Sequence, residues 1–279
     1  MTSQLKTGLL LILLSGIMLF LGQILGGNTG LMIAFGMALI MNLGSYWYSD
    51  KIVLKMYKAR EISPSEAPMV HRMVEELAQQ AGIPKPRLYM IPDETPNAFA
   101  TGRNPQNGVV AVTQGIVRLL SPDELRGVLA HEIAHILNRD ILVQTIAGIL
   151  ASVIMMVANF MKWGAIFRGG RGGQGGNAVV VLLLAILAPI AASLIQFAIS
   201  RSREYLADAT GAKLSGMPLA LASALNKLTT HNQREHMSEG NPATAHMFIV
   251  TPFAGAGMAK LFSTHPPVEE RISRLRAMN

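Results

Sequence analysis

The sequence contains no cysteine and few charged residues, and both absences limit what the chain can be. Without cysteine there is no disulfide framework and no metal site built on thiolates. Charged residues make up 15% of the 279 residues, whereas hydrophobic residues make up 50%. This balance is typical of a membrane protein, so we expect apolar membrane segments combined with a smaller water-exposed part.

Charge is missing altogether from several long stretches. No charged residue occurs from Thr7 to Ser49, and the polar break at 26–30 divides this stretch into two apolar halves. Each half is long enough to cross a hydrocarbon layer of about 30 Å as a helix. Residues 141–161 and 178–200 are also uncharged, which brings the predicted membrane segments to four. We interpret the first two as a retained hairpin anchor, because no convincing cleavage site follows them.

Basic residues near the segment ends predict the orientation, since short loops rich in Lys and Arg stay on the cytoplasmic side. They flank the first two segments at Lys6, Lys51, Lys55, Lys58 and Arg60. Both ends of this hairpin are therefore expected in the cytoplasm. The loop between the last two segments is also basic, with Lys162, Arg168 and Arg171. A second hairpin that enters from the cytoplasmic side without crossing therefore stays open as an alternative.

The formal net charge of +7 raises the question of nucleic-acid binding. Much of this charge lies beside apolar segments, where contact with anionic lipid headgroups explains it more simply. The pattern Gly170-x-Gly172-x-x-Gly175 matches the dinucleotide-binding fingerprint. That fingerprint requires a buried strand and a following helix, whereas both flanks of this pattern are membrane-like. We therefore interpret 169–176 as a flexible loop and expect the bilayer, but neither nucleotide nor nucleic acid, as a partner.

The residues between the second and third membrane segments have the patterning of a globular domain. An apolar face at helical spacing predicts a helix over 63–82, and the residue types at 86–91 predict a strand. The stretches NAFATG and GVVAVT, separated by the turn-rich RNPQN, predict a short β-hairpin. Ser121, Pro122 and Glu124 then form a capping-box signal that starts a further helix.

The motif HEIAH lies on that helix. His131 and His135 are four residues apart, so both imidazoles project from one face within reach of a single ion. Zinc binds well to neutral imidazole ligands, and it is redox-inactive. Glu132 lies beside the first ligand, where it can take a proton from zinc-bound water, so the expected nucleophile is water.

Two histidines do not hold a catalytic zinc ion, so a third ligand is required. A third histidine at the extended spacing is excluded, because that position is Ile141. The better candidate lies in SRSREYLADATGA, where Glu204 and Asp208 share a helical face. Taken alone, such a pair is more often a solvated surface. An antiparallel membrane hairpin between the two helices would return the chain to the same interface, with Glu204 as ligand and Asp208 orienting a histidine.

The motifs HEIAH, EYLAD, NAFATG and STHPPVEERI, together with paired apolar segments, resemble the HtpX group of membrane-embedded zinc metalloproteases, relatives of the CaaX prenyl proteases. The resemblance covers essentially the whole chain. It implies one zinc ion held by His131, His135 and Glu204, with Glu132 as general base. It also implies an endopeptidase of membrane-protein quality control and stress response in the bacterial plasma membrane, with its catalytic domain facing the cytoplasm.

The same resemblance assigns roles to two further regions. His265, in THPP, matches the family's late histidine, which stabilises the oxyanion of the tetrahedral intermediate. From the residues alone, a histidine followed by two prolines is equally a structural turn. The family's substrate-binding edge strand matches Asn97, Ala98, Phe99 and Ala100. Such an edge binds a peptide as an additional strand through main-chain hydrogen bonds.

The remaining histidines and one arginine carry weaker signals. Arg271, six residues after His265, could pair with a carboxylate or with the substrate, although a surface charge is the favoured interpretation. Four other histidines have no partner at ligand spacing in the sequence and are expected on the surface or in loops: His71, His231, His236 and His246.

We therefore predict a mainly α membrane protein with a small β-sheet, a gluzincin-like zinc metalloprotease domain and four transmembrane or membrane-embedded helices. The predicted parts are a hairpin over 1–49, a first catalytic part over 50–140, a second hairpin over 141–200 and a second catalytic part over 201–279. Misfolded membrane proteins and unfolded polypeptides are the expected substrates. A CaaX-type processing protease and a non-catalytic membrane scaffold are the alternatives. The predicted number of spans disfavours the first, and the presence of Glu132 disfavours the second.

Overall fold

A computed structural model describes residues 3–149, 151, 201–232, 249–250 and 266–278 of the chain. Within these residues the protein is mostly helical, with one four-stranded mixed sheet. The helices whose two ends are described are α1 (Ser3–Met56), α2 (Pro68–Ala81), α3 (Gln114–Leu119), α4 (Pro122–Leu137), α5 (Arg201–Ser215), α6 (Pro218–Asn232) and α7 (Val268–Arg276), and residues 141–149 are helical as well. The strands are β1 (Arg60–Glu61), β2 (Arg87–Ile91), β3 (Ala98–Thr101) and β4 (Val109–Thr113).

The first helix consists of two arms that meet at the predicted polar break. Gly26 and Gly27 leave the helical conformation, and Gly27 has a φ of 54°, which favours glycine. The arms contact each other, since Nδ2 of Asn42 donates a hydrogen bond of 2.8 Å to Oγ of Ser15. The two arms therefore form a hairpin, and its second arm continues past the predicted boundary at residue 49 to Met56.

The predicted number of four membrane segments is not confirmed. In the part of the chain that the structure describes, one helix, Gly26–Met56, is long and apolar enough to cross a membrane, judged by length and composition. The first arm contributes a shorter apolar helix, Gly8–Phe20. Most of the third predicted segment, the whole of the fourth at 178–200 and the glycine-rich loop at 169–176 lie outside the described residues.

The helix predicted over 63–82 begins later than expected. It starts at Pro68, because the carboxylate of Glu66 accepts hydrogen bonds from both the backbone N–H and the hydroxyl of Ser63 and holds a separate turn there. It ends as predicted at Gly82, whose φ of 65° closes the helix in the left-handed conformation.

The sheet has the strand order β1-β2-β4-β3, so β3 lies at an edge among the described strands. Strands β3 and β4 form the predicted antiparallel hairpin, with Phe99 opposite Ala111. Strands β2 and β4 pair in parallel, with Tyr89 opposite Ala111. The sequence did not reveal this parallel pairing or the short strand β1. Every residue of β4 is buried, which shows that both faces of the sheet are covered.

The two faces of the sheet belong to different cores. One face carries Ala98, Ala100, Val110 and Val112. It forms a common core with helices α2, α4, α5, α6 and α7. The opposite face carries Phe99, Val109 and Ala111. It packs near the end of α1, against Val53, Leu54 and Tyr57. The sheet therefore lies between the end of the apolar hairpin and the helix that bears HEIAH.

Helix α4 begins at the predicted capping box. The hydroxyl of Ser121 accepts from the backbone N–H of Glu124, and the Glu124 carboxylate accepts from the backbone N–H of Ser121 at 2.8 Å. The same carboxylate binds Ser223 at 2.7 Å and Lys227 at 2.8 Å, both on α6. The cap of α4 is therefore also a contact between two helices.

We expect Glu124→Gln to destabilise the fold at neutral pH but not in acid. Burial alone would raise the pKa of Glu124, but hydrogen bonds from Lys227, Ser121 and Ser223 outweigh burial and lower it to about 2. Because this pKa is below its usual value of 4.5, the stabilisation is fully present above about pH 4.5 and is lost as the pH falls towards 2. Thermal unfolding of wild type and variant in detergent should differ by about 1–2 kcal/mol at pH 7 and converge in acid. A difference that does not change with pH would contradict this role.

Candidate metal centre

Helices α4 and α5 pack together and bring the three predicted ligands to one place. The Nε2 atoms of His131 and His135 are 3.2 Å apart. Oε1 of Glu204 lies 3.5 Å from Nε2 of His135, and its Oε2 lies 3.9 Å from Nε2 of His131. All three side chains are buried, and one ligand atom of each lies within 4.8 Å of the others.

This geometry fits a shared divalent ion. Two imidazole nitrogens about 2.05 Å from a tetrahedral ion are about 3.3 Å apart, close to the 3.2 Å observed between His131 and His135. Burial lowers the pKa of His131 to about 4, although Asp208 acts in the opposite direction. The imidazole of His131 is therefore neutral at pH 7, which is the form that binds a metal. Three protein ligands leave one tetrahedral position open, as catalytic sites require.

A glycine permits the close approach of the two helices. A Cβ atom at Gly211 of α5 would lie 2.8 Å from the backbone nitrogen and 2.9 Å from the Cα atom of His131. We expect Gly211→Ala to push α5 away from α4, to destabilise the protein by about 1–3 kcal/mol and to weaken metal binding. The control is Gly44→Ala, where an added Cβ meets nothing within 4 Å. Equal metal affinity of the two variants, measured by competition with a chromophoric chelator, would contradict the steric argument.

Asp208 lies beside the first histidine, on the same helical face as Glu204. Its Oδ1 lies 2.9 Å from Nδ1 of His131. Arg271 donates hydrogen bonds of 2.7 and 2.8 Å to the two carboxylate oxygens of Asp208. Burial opposes the charge of Asp208, but Arg271 and His131 hold its pKa well below its usual range. A buried anion thus fixes the His131 ring with Nε2 towards the other ligands.

Arg271 is fully buried, so the expectation of a surface charge is wrong. Its Nη1 donates to the carbonyl of Ile249 at 3.0 Å and lies 3.8 Å from Oε2 of Glu204. Arg271 and Leu275 are one turn apart on α7, and both are buried. Arg271 therefore lies on the inward face of an amphipathic helix.

The second histidine has an acidic neighbour that the sequence analysis missed. Nδ1 of His135 lies 3.5 Å from Oδ2 of Asp140, which is fully buried and forms an ion pair with Arg203 of α5. Asp140 follows the end of α4, so it shares no helical face with the ligands. The turn that ends α4 brings it beside His135, since its backbone N–H donates to the carbonyl of His135 at 3.0 Å.

Glu132 is buried beside the ligands and faces the edge strand β3. Burial raises its pKa to about 7, while His135 and a hydrogen bond from the backbone N–H of Ala100 act in the opposite direction. A carboxyl group with a pKa near neutrality can both accept and return a proton at pH 7. The arrangement therefore suits general acid and base chemistry.

The residues predicted to bind substrate lie at the start of β3, whose outer side is the edge that faces away from β4. The backbone N–H of Ile249 donates to the carbonyl of Ala98 at 3.2 Å. The amide of Asn97 is buried and donates to the carbonyl of Val250 at 2.6 Å. The ring of Phe99 belongs to the opposite core and is fully buried. The outer side of β3 therefore binds main chain, whereas the Phe99 side chain faces away from it.

The other predicted histidines have different outcomes. His265, together with His236 and His246, lies outside the described residues. His71 is buried on α2, contrary to the expected surface position. Its Nε2 lies 2.9 Å from the carbonyl oxygen of Ile62. His231 lies in the last turn of α6.

Comparison with known proteins identifies the class. The chain matches Peptidase family M48 over residues 64–279, a range that includes all three candidate ligands. The chain therefore belongs to peptidase family M48 and is a metalloprotease. The protein named "Protease HtpX homolog" from Syntrophobacter fumaroxidans is 55% identical over 100% of both chains. That from Pyrococcus furiosus is 58% identical over 97% of this chain and 94% of its own length.

These relatives confirm the resemblance to the HtpX group. A further relative of the same name, from Persephonella marina, is 58% identical over 98% of this chain and 96% of its own. Among solved structures, the crystal structure of S. mikatae Ste24p aligns with a TM-score of 0.49 at 21% identity. That alignment covers 96% of this chain and 62% of the Ste24p chain.

We expect Glu204→Ala to reduce the metal content from about one ion per chain to a small fraction of that value, because two imidazoles alone hold the ion weakly. The matched control is Glu269→Ala, which removes an exposed glutamate from α7. Elemental analysis after dialysis measures both variants. Unchanged metal in Glu204→Ala would mean that the third ligand lies elsewhere.

Proposed function

We propose that this metalloprotease is a zinc-dependent endopeptidase of membrane-protein quality control. The observation that carries the proposal is the buried group of His131, His135 and Glu204, with Glu132 next to it. Zinc is the ion that suits two neutral imidazoles and a carboxylate with one open position. When bound, zinc supplies Lewis acidity for the peptide carbonyl and lowers the pKa of water.

The side chains of the protein perform the remaining steps. Glu132 takes the proton from the attacking water and passes it to the leaving amine. Asp208 keeps the ring of His131 in its ligating orientation. His265 is proposed, by its match to the family motif, to stabilise the oxyanion.

We infer that the substrate binds along residues 97–100 as an additional strand. On this side of β3 the carbonyl of Ala98 accepts a main-chain hydrogen bond from Ile249, and a bound peptide would replace this contact. The N–H of Ala100 donates to Glu132, so a peptide on this strand is held beside the general base. Main-chain hydrogen bonds depend little on the side chains of the bound peptide. This mode of binding therefore suits misfolded and unfolded polypeptides as substrates.

The decisive experiment measures cleavage of an unfolded model protein by the purified chain in detergent. Cleavage should stop with a chelator and return when zinc is added in slight excess. A CaaX-type processing enzyme would instead cleave only a prenylated peptide, and a scaffold would cleave neither. Absence of cleavage by the zinc-loaded protein would contradict the proposal.

The proposed location is the bacterial plasma membrane, with several spans and the catalytic parts in the cytoplasm. The apolar helix Gly26–Met56 and the many exposed apolar side chains of α1 support a membrane position. Because the chain lacks cysteine, Gln174→Cys carries a unique thiol between the last two apolar runs. Labelling from outside intact cells would support a crossing hairpin, whereas labelling only after lysis would count against it.

A further inference from the structure

A polar cavity lies where α1 meets the sheet, and it shares no residue with the metal centre. Its volume is about 350 Å³. Its lining includes Trp47, Tyr48, Asp50, Lys51, Arg87 and Arg103. We call it the basic cavity, because three of these side chains are cationic and one is acidic. Three separate elements form it: the end of α1, strand β2 and the turn after β3.

The basic cavity keeps an excess of positive charge. Arg87 is paired with Asp50, with 2.6 Å between Nη2 and Oδ2, so these two charges offset each other. Lys51 and Arg103 make no ion pair with a carboxylate among the described residues. They lie instead over aromatic rings, Lys51 at 5.3 Å from the centre of Tyr48 and Arg103 at 4.7 Å from that of Trp47. Two cations are thus available to one anion.

The aromatic residues indicate the depth at which the cavity lies. Trp47 and Tyr48 are 53% and 55% exposed and belong to the end of the helix Gly26–Met56. In membrane proteins Trp and Tyr at the end of a span lie at the level of the lipid headgroups. By this rule the basic cavity would lie at the level of the phospholipid phosphates.

The position of Arg103 is set by a hydrogen-bonded turn. The side chain of Asn104 accepts from the backbone N–H of Asn107 at 3.0 Å, and Arg103 contacts the Asn107 side chain at 3.4 Å. A guanidinium held in this way loses little freedom when it binds a phosphate through two N–H groups. Arg103 also follows the end of β3 by two residues, so an anion in the cavity contacts the turn of the β3–β4 hairpin.

We infer that the basic cavity binds the phosphate of an anionic phospholipid headgroup and thereby fixes the catalytic part against the bilayer surface. A phosphodiester carries the single negative charge and the acceptor oxygens that Lys51 and Arg103 can satisfy together. The inference rests on the proposed membrane location, but not on the proteolytic activity.

The test uses the full chain in nanodiscs of phosphatidylcholine that contain a minor fraction of phosphatidylglycerol, followed by native mass spectrometry of retained lipid. Wild type should retain phosphatidylglycerol about tenfold above its bulk fraction. Lys51→Gln/Arg103→Gln should lose this enrichment. The control Lys213→Gln/Arg276→Gln removes one lysine and one arginine from exposed positions on α5 and α7 and should behave as wild type.

Equal enrichment in wild type and in Lys51→Gln/Arg103→Gln would overturn the inference. A second arm adds inorganic phosphate to phosphatidylcholine nanodiscs. Phosphate binding without any preference for phosphatidylglycerol would overturn the lipid as its source. Size-exclusion chromatography measures the incorporation of the protein into nanodiscs independently of lipid enrichment. Failure to incorporate would overturn the membrane location and this inference with it, whereas loss of enrichment alone leaves the proposed proteolysis unaffected.

Discussion

Glu132→Gln should bind about one metal ion per chain and cleave an unfolded substrate about 10²–10⁴ times more slowly than the wild type. The amide keeps the size of the carboxylate but cannot take a proton from water at neutral pH. The three candidate ligands are unchanged, and the buried position of Glu132 accepts an uncharged side chain without loss of an ion pair. Rates under single-turnover conditions and elemental analysis of the same sample separate chemistry from metal binding.

Glu269→Gln is the matched control, since it makes the same chemical change at an exposed position of α7. It should cleave at the wild-type rate. Undiminished cleavage by Glu132→Gln would refute the assigned general base. Loss of the metal together with the activity would show instead that Glu132 holds the ligand group in place.

Arg271→Met should lower the free energy of unfolding by about 3–5 kcal/mol, because it leaves the buried carboxylate of Asp208 without its partner. It also removes the donor to the carbonyl of Ile249. Arg276→Met, at an exposed position on the same helix, should change stability by less than about 0.5 kcal/mol. Equal unfolding midpoints for the two variants in detergent and denaturant would contradict the structural role of Arg271.

The double variant Arg271→Met/Asp208→Asn distinguishes charge from orientation. Neutralising Asp208 removes the unpaired buried charge, so part of the lost stability should return. The amide does not replace the anion beside Nδ1 of His131, so metal affinity should stay low. Recovery of both stability and metal affinity would mean that Asp208 does not orient the histidine.

The two histidine ligands could be predicted from the sequence because they belong to one helix. His131 and His135 follow the periodicity of α4, and its capping box marks where that periodicity begins. Glu204 needed a further step, namely the expectation that an apolar hairpin returns the chain to the same interface. Local spacing and the chemistry of the donors were sufficient for the two histidines, whereas Glu204 also required the expected return of the chain.

The supporting residues could not be predicted because they depend on contacts between distant parts of the chain. Asp140 is held beside His135 by the local turn that ends α4, but its partner Arg203 lies on the distant helix α5. The parallel pairing of β2 with β4 likewise follows from tertiary packing and not from a turn signal. Arg271 was misassigned for a related reason. A charged residue is rarely buried on the inward face of a helix unless it has a partner, and the sequence does not show that Asp208 is this partner.

The distance along the chain between His131 and Arg271 also has a consequence for biosynthesis. Arg271 is added 140 residues after His131, so a ribosome exposes HEIAH long before the guanidinium that completes its surroundings exists. Contacts of such long range form late in folding. The buried contacts of Arg271 with Asp208 therefore cannot form until translation has passed the start of α7.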